Sequence, residues 1–377
     1  MDEALSNSAA TTGASPVRWG QVGAFVALTF GSTYAYNLLQ FLTIGYGAKP
    51  ATGVVLQGMM LIPAWSALLL QAFFFRDSVV YFRKPFNWAR VFAYVYLVFG
   101  LVFLAGAIVA ELSSDPALIA GVRVTSQFLV LGGLVFVIVL QFIAPKADRL
   151  SAHLAFGAAK WWALFALLLI ALYGAMTALN YVLGLGQAVD AKAVIAQIAA
   201  AAGQTATGIE EMPAAAFLLT TGLQTALLSP FIAIMISVGE EYGWRGALQP
   251  ELMKLGRIKG VALVGLIWGV WHAPIIAMGH NYPGHPVVGI FLMTLYTLGL
   301  GFILGLAFIK SRSVWLVAYL HGVNNQVLSF LTMLVYRPND PVWSFGAGLF
   351  GVALLLAVAG LLLLDPSWRE SEAPAPA

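Results

Sequence analysis

The sequence predicts an all-α fold, a polytopic bundle of about ten transmembrane helices, and three observations carry that expectation. Hydrophobic residues make up 60% of the 377 residues and charged residues only 9%. A soluble domain carries about 25% charged residues, so this chain cannot cover a water-facing surface. Uncharged runs of the ~20 residues needed to cross a bilayer recur along the whole chain. They lack the two-residue alternation of a membrane barrel, which leaves helices.

The elements follow in order. Residues 1–18, within "MDEALSNSAATTGASPVRWG", are small and polar and carry acids rather than a basic n-region. They read as a disordered tail, not a cleavable signal peptide. Continuous apolar runs at about 20–46, 51–75, 88–111, 122–144 and 160–185 make residues 19–185 a five-span N-terminal bundle. Aromatics gather at several ends, as in "YFRKPFNW" and "KWW", as interface anchors do. Residues 186–213 form a net acidic extracytoplasmic loop with Asp190, Lys192, Glu210 and Glu211, whose Ala-rich stretch can make a short surface helix. Four more runs, at about 214–238, 260–280, 286–309 and 313–335, fall in the segment 214–336. The last run, 343–364, lies in 337–377 and is followed by a second polar tail, "SWRESEAPAPA".

Basic residues set the expected sidedness. Arg76, Arg83, Lys84 and Arg90 follow the second run, and Lys146, Arg149 and Lys160 the fourth. Lys254, Arg257 and Lys259 follow the sixth, and Lys310 and Arg312 the eighth. Every second loop is basic, as ten spans with both termini in the cytoplasm require. The Ala/Gly/Leu-rich composition points to a bacterial plasma membrane. There is no cysteine, which removes disulfides, thiolate metal sites and cysteine nucleophiles. No basic run with interleaved aromatics suggests a nucleic-acid partner; the partners expected are membrane lipid and whatever the polar residues inside the bundle act on.

Those residues form three patches. "GEEYGWRG" supplies Glu240, Glu241 and Arg245; "WGVWHAP" supplies Trp268 and His272; "YLHGVNNQ" supplies His321, Asn324 and Asn325. At 1.5 Å per residue, His272 lies ~18 Å and His321 ~12 Å into their spans. Ionisable groups at such depth face the bundle interior and mark function by default. Glu241 with Arg245, Trp268 with His272, and His321 with Asn325 are all four apart, so each patch forms one stripe on a helix. Gly239/Gly243, Gly265/Gly269 and Gly301/Gly305 have the spacing that lets membrane helices approach closely. Taken singly, each patch also has a plain structural reading: Glu241–Arg245 as an anchoring ion pair, each histidine as a helix–helix hydrogen bonder. Glu210–Glu211 is a carboxylate pair in a polar loop that needs no role. His280 and His285 read as loop residues, and His153 as an interface residue.

Two carboxylates, a cation, two imidazoles and an amide within about 90 residues suit hydrolysis by activated water. A partly buried glutamate can serve as general base, and imidazole and amide N–H groups can stabilise an oxyanion. No GxSxG and no core Ser–His pairing supports a covalent route. Two Glu and two His are good zinc ligands, but there is no HExxH.

The set Glu240-Glu241-x-x-x-Arg245, Trp268-x-x-x-His272 and His321-x-x-x-Asn325 resembles the motifs of the CPBP family. These are the CAAX-processing and bacteriocin-processing intramembrane proteases, also called Abi proteins. The resemblance covers residues about 214–336, and it departs from the usual pattern where Trp268 replaces a phenylalanine. It implies an intramembrane endopeptidase, with its active site near the cytoplasmic side and its cavity open to the cytoplasm, that cleaves a membrane-associated or lipidated peptide. By the same resemblance Glu240 would activate water, His272 would share it, and His321 and Asn325 would form the oxyanion site. Glu241 and Arg245 would pair and tune Glu240. No cofactor is then needed. A zinc-dependent version is the alternative, although Asn325 is a poor zinc ligand and a good oxyanion donor. A non-proteolytic immunity or partner protein of the same family, or a transporter with a proton relay, would use the same spans.

Overall fold

The computed structural model describes residues 15–43, 52–201 and 213–369. The expected tails and the Glu210–Glu211 pair therefore lie, wholly or in part, outside the described residues. Helices α1 (Trp19–Thr43), α2 (Thr52–Phe73), α3 (Trp88–Leu112), α4 (Pro116–Ile143) and α6 (Ala159–Val182) occupy the first five apolar runs. A short α5 (Lys146–Ser151) precedes α6, and α7 (Ala191–Ala201) is the short Ala-rich helix. Local chemistry sets the starts: Asn87 caps α3 and Asp115 caps α4, each accepting from a backbone N–H two residues on. One exception to the all-helical architecture is a two-stranded antiparallel ribbon, β1 (Gly186–Ala188) with β2 (Tyr336–Pro338), in the register Gln187 to Arg337.

The sixth run becomes a bent helical rod. It comprises α8 (Ala214–Leu223), a π turn (Gln224–Leu228), α9 (Ser229–Ile232), α10 (Ile234–Glu241), a second π turn (Tyr242–Leu248) and α11 (Gln249–Leu252). Then come α12 (Arg257–Trp271), α13 (Ala273–Ala277), α14 (Pro286–Ser311), α15 (Val314–Phe330) and α16 (Leu349–Leu362).

Among the described residues, seven helices are long and apolar enough to cross a membrane, not ten. Each of the three missing has a local cause. α12 stops after 15 residues because Pro274 has no N–H for the Val270 carbonyl and its ring crowds that turn. Tyr34 of α1 donates to that carbonyl instead, at 3.0 Å. α15 with the π turn that continues it at Leu331–Val335 is long enough, but His321, Asn324, Asn325 and Gln326 make it too polar to be counted. α16 has 14 residues: the apolar "VWSFGAG" before it is turn, with Gly346 at φ +115°, a conformation open chiefly to glycine.

One continuous cluster of buried side chains joins the N-terminal helices to the later ones. Glycines make the closest contacts. A Cβ on Gly239 would fall 2.4 Å from the Met60 carbonyl oxygen of α2, and one on Gly269 2.5 Å from the Thr294 Cα of α14. α10 therefore lies directly on α2, and α12 directly on α14.

The basic loops meet at one end of the bundle. Arg18 bonds Glu251 at 2.5 Å and also pairs with Asp77, and Lys254 bonds Glu251 at 2.8 Å. Lys310 pairs with Asp365 at 2.7 Å, and Asp148 accepts from the Trp88 N–H at 2.8 Å. Trp315 reaches across from α15 to the Leu154 carbonyl at 2.7 Å. The ribbon and the 278–285 loop occupy the other end.

Candidate functional site

Glu240 and Glu241 are the last two residues of α10, and the π turn that follows carries Arg245. Widened turns of this kind recur at functional sites. Arg245 and Glu241 are fully buried and bonded at 2.8 Å, the pairing expected from their spacing. The Glu241 Oε1 also accepts from His321 Nδ1 at 2.7 Å. Its Oε2, and the Arg245 Nε and Nη2, have no hydrogen-bond partner among the described residues. Buried charge on these terms costs several kcal/mol per ion, so the cluster is not there for stability.

Trp268 compensates part of that cost. Its ring lies 4.4 Å from the Arg245 guanidinium carbon, a cation–π contact worth about 2 kcal/mol when desolvated. Its indole N–H donates to Glu240 Oε2 at 2.6 Å. Trp268 thus adds a donor to the carboxylate that has no helical partner of its own. Residue spacing could not reveal this bond, because it joins α12 to α10 through the fold.

Each histidine has one ring nitrogen whose proton is set by its partner. His272 sits at the break between α12 and α13. Its backbone N–H has moved to the Gly269 carbonyl at 3.0 Å, and its Nδ1 bonds the Trp268 carbonyl at 2.9 Å. A carbonyl only accepts, so Nδ1 carries the proton and Nε2 is left as an acceptor. For His321, the Glu241 carboxylate fixes the proton on Nδ1, and Nε2 lies 3.8 Å from Glu240 Oε1. That gap is too long for a hydrogen bond.

Asn325 is oriented by its neighbour. Asn324 Oδ1 accepts from Tyr296 at 2.6 Å and from Tyr173, and the two hydroxyls lie 2.7 Å apart. The acceptor side of Asn324 thus faces α6 and α14. Its Nδ2 donates to Asn325 Oδ1 at 2.8 Å, and among the described residues the Asn325 Nδ2 keeps no acceptor of its own.

Glu240, His272, His321 and Asn325 line one cavity of about 280 Å³. Glu241 and Arg245 do not line it; they lie behind His321 and Trp268. Residues with no sequence signal complete the walls, among them Met59 and Met60 of α2 and Tyr296 of α14. His280, expected to be an ordinary loop residue, also lines it, whereas His153 packs on Phe308 at the basic end.

The cavity lining continues from Glu240 to Asn281, Ser329 and Ala347, and fully buried Trp244, Arg245 and Gln249 follow Glu240 along the rod. For a metal, no group of three His, Cys, Asp or Glu side chains is arranged to hold one among the described residues. Two of the candidate donor atoms, Glu241 Oε1 and His321 Nδ1, are engaged with each other.

Residues 222–327 match the model of the family described as Type II CAAX prenyl endopeptidase Rce1-like, a family of proteases. The match contains all six residues singled out from the sequence. No curated protein and no solved structure matches the chain.

Proposed function

We propose that the chain is an intramembrane endopeptidase that cleaves a membrane-associated or lipidated peptide by glutamate-activated water. One observation carries the reading: Glu240, His272, His321 and Asn325, from three separate helical segments, line a single buried cavity. Glu240 takes a proton from water as the oxygen attacks the scissile carbonyl, and His272 Nε2 accepts the second hydrogen of that water. The oxyanion is met by the Asn325 Nδ2 and by the Nε2–H of the His321 imidazolium, whose positive charge is balanced by Glu241. Glu240 then delivers its proton to the leaving amine. Trp268 holds Glu240 in place, and Arg245 pairs with Glu241 behind His321. Oxyanion donors in such sites are worth about 3–4 kcal/mol each.

The segment 214–336 acts as the catalytic core in this reading, and the N-terminal helices supply one wall through α2. The positive bias of the basic loops supports an orientation with that end of the bundle on the cytoplasmic side of a cell membrane.

The test is cleavage of a peptide library by protein purified in detergent. Glu240→Gln keeps the shape of the side chain and its bond to Trp268 but removes the base, so activity falls at least ~10²-fold, within the range a positioned general base contributes. Unchanged cleavage in that variant overturns the assignment. Loss of cleavage with chelator and its recovery with zinc would replace water activation by Glu240 alone with the metal-dependent version.

A further inference from the structure

We propose that a groove between α2, α4, α9 and α15 binds one membrane phospholipid by its phosphodiester and glycerol esters. The groove encloses about 790 Å³. None of its lining residues belongs to the cavity that holds Glu240. Binding there does not depend on whether the chain is a protease.

Six polar side chains converge on the groove. Arg123, Ser126 and Gln127 stand three and four apart on α4 and so share one face of that helix. Gln57 comes from α2, Ser229 from α9 and Gln326 from α15. Both α2 and α4 are apolar enough to cross a membrane, so a guanidinium and two primary amides on them need polar surroundings. An arginine within a membrane helix marks a functional site by default. Gln57, Arg123 and Gln127 are exposed, and the groove therefore faces the surrounding lipid.

Depth fixes which part of a lipid they meet. α2 and α4 both begin at the end away from the basic loops that follow them. With 28 residues, α4 is ~42 Å long, against a hydrocarbon core of ~30 Å. Centred in the bilayer, it extends ~6 Å beyond the core at each end. Arg123 lies seven residues from Pro116, the start of α4, which puts its backbone ~5 Å inside the core boundary. A flexible stem at that depth carries the guanidinium out to the phosphate level. Gln57, five residues from Thr52 at the start of α2, lies at a similar depth, near the ester carbonyls.

Charge selects the ligand. Among the described residues Arg123 is the one ionisable group on the lining, and no carboxylate opposes an anion there. A guanidinium bonds phosphate oxygens in pairs. The glutamine amides and serine hydroxyls can donate to ester carbonyls, and Val54, Val130, Leu131 and Ile232 offer apolar surface to the acyl chains. The volume suits a ligand of lipid headgroup size, well beyond a single inorganic anion.

The test is native mass spectrometry of the full chain in mild detergent, titrated separately with phosphatidylglycerol, diacylglycerol and inorganic phosphate. Wild type binds one phosphatidylglycerol, at least tenfold more tightly than either of the other two. Arg123→Gln, and Gln57→Leu combined with Gln127→Leu, each weaken that binding at least tenfold. Arg337→Gln, which removes an exposed cation outside the groove, leaves it unchanged. Thermal unfolding without added lipid confirms that the variants fold. Equal binding by Arg123→Gln, or an equal loss in Arg337→Gln, overturns the site. Diacylglycerol binding as tightly as phosphatidylglycerol shows a groove that reads only chains and esters, and phosphate binding as tightly shows a free-anion site; either result also overturns it. Cleavage by wild type and its loss in Glu240→Gln are separate measurements, so this proposal and the protease reading fail independently.

Discussion

Trp268→Phe isolates a single bond in the site. Phenylalanine keeps a ring beneath Arg245, where the indole now lies 4.4 Å from the guanidinium carbon, and removes only the N–H that donates to Glu240 Oε2 at 2.6 Å. A hydrogen bond to a charged acceptor is worth about 1.5–3 kcal/mol. Glu240 is buried, and without the indole its Oε2 loses the only donor found for it among the described residues, so the carboxylate is free to turn from the cavity. At about 1.4 kcal/mol per tenfold, kcat falls ~10–150-fold. KM stays near the wild-type value, because the indole N–H faces Glu240 and not the peptide. The assay is steady-state cleavage of a fluorogenic peptide by purified protein, with thermal unfolding measured in parallel to confirm that the variant is folded. Activity within threefold of wild type, or a rise in KM at constant kcat, would refute the idea that the indole positions the base.

The Glu241–Arg245 pair makes a thermodynamic cycle. Arg245→Met leaves a buried carboxylate without its cation and costs about 3–5 kcal/mol, measured by denaturation in mixed micelles; Glu241→Gln with Arg245→Met recovers a large part of that, and a double variant no more stable than the single one would contradict the charge argument. At the basic end, burial opposes ionisation of Glu251, but Arg18 and Lys254 outweigh it and bring the carboxyl down to about 2. A carboxylate with a depressed folded-state pKa stabilises the fold above its ordinary value of about 4.5 and stops doing so as pH falls towards 2. The Tm advantage of wild type over Glu251→Gln therefore narrows below about pH 4.5, and a gap independent of pH would rule out an ionic role for Glu251.

Much of the candidate site is legible in the sequence because it is built from short-range spacing. Glu241 and Arg245 are four apart on one helix and bond as that spacing requires. Scarcity helps too: in a chain with 9% charged residues, charge inside an apolar run is conspicuous. The count of spans was less legible. Hydropathy cannot separate "VWSFGAG" as turn from the same residues as helix, and it does not register that Pro274 stops α12. That interruption falls beside a site residue, where local regularity gives way to the placement of His272.

The sequence by itself determined that this chain is a helical membrane protein and which six polar residues stand out as site candidates, since composition and helical period are local properties. The tertiary structure decided the rest. Only the approach of α12 to α10 gives Glu240 its Trp268 donor, and only the meeting of α6, α14 and α15 turns Asn325 so that its amide donates. The cavity is likewise a property of packing: its lining comes from α2, α12, α14 and α15 together. Such contacts join residues tens to hundreds of positions apart, and no periodicity along the chain encodes them.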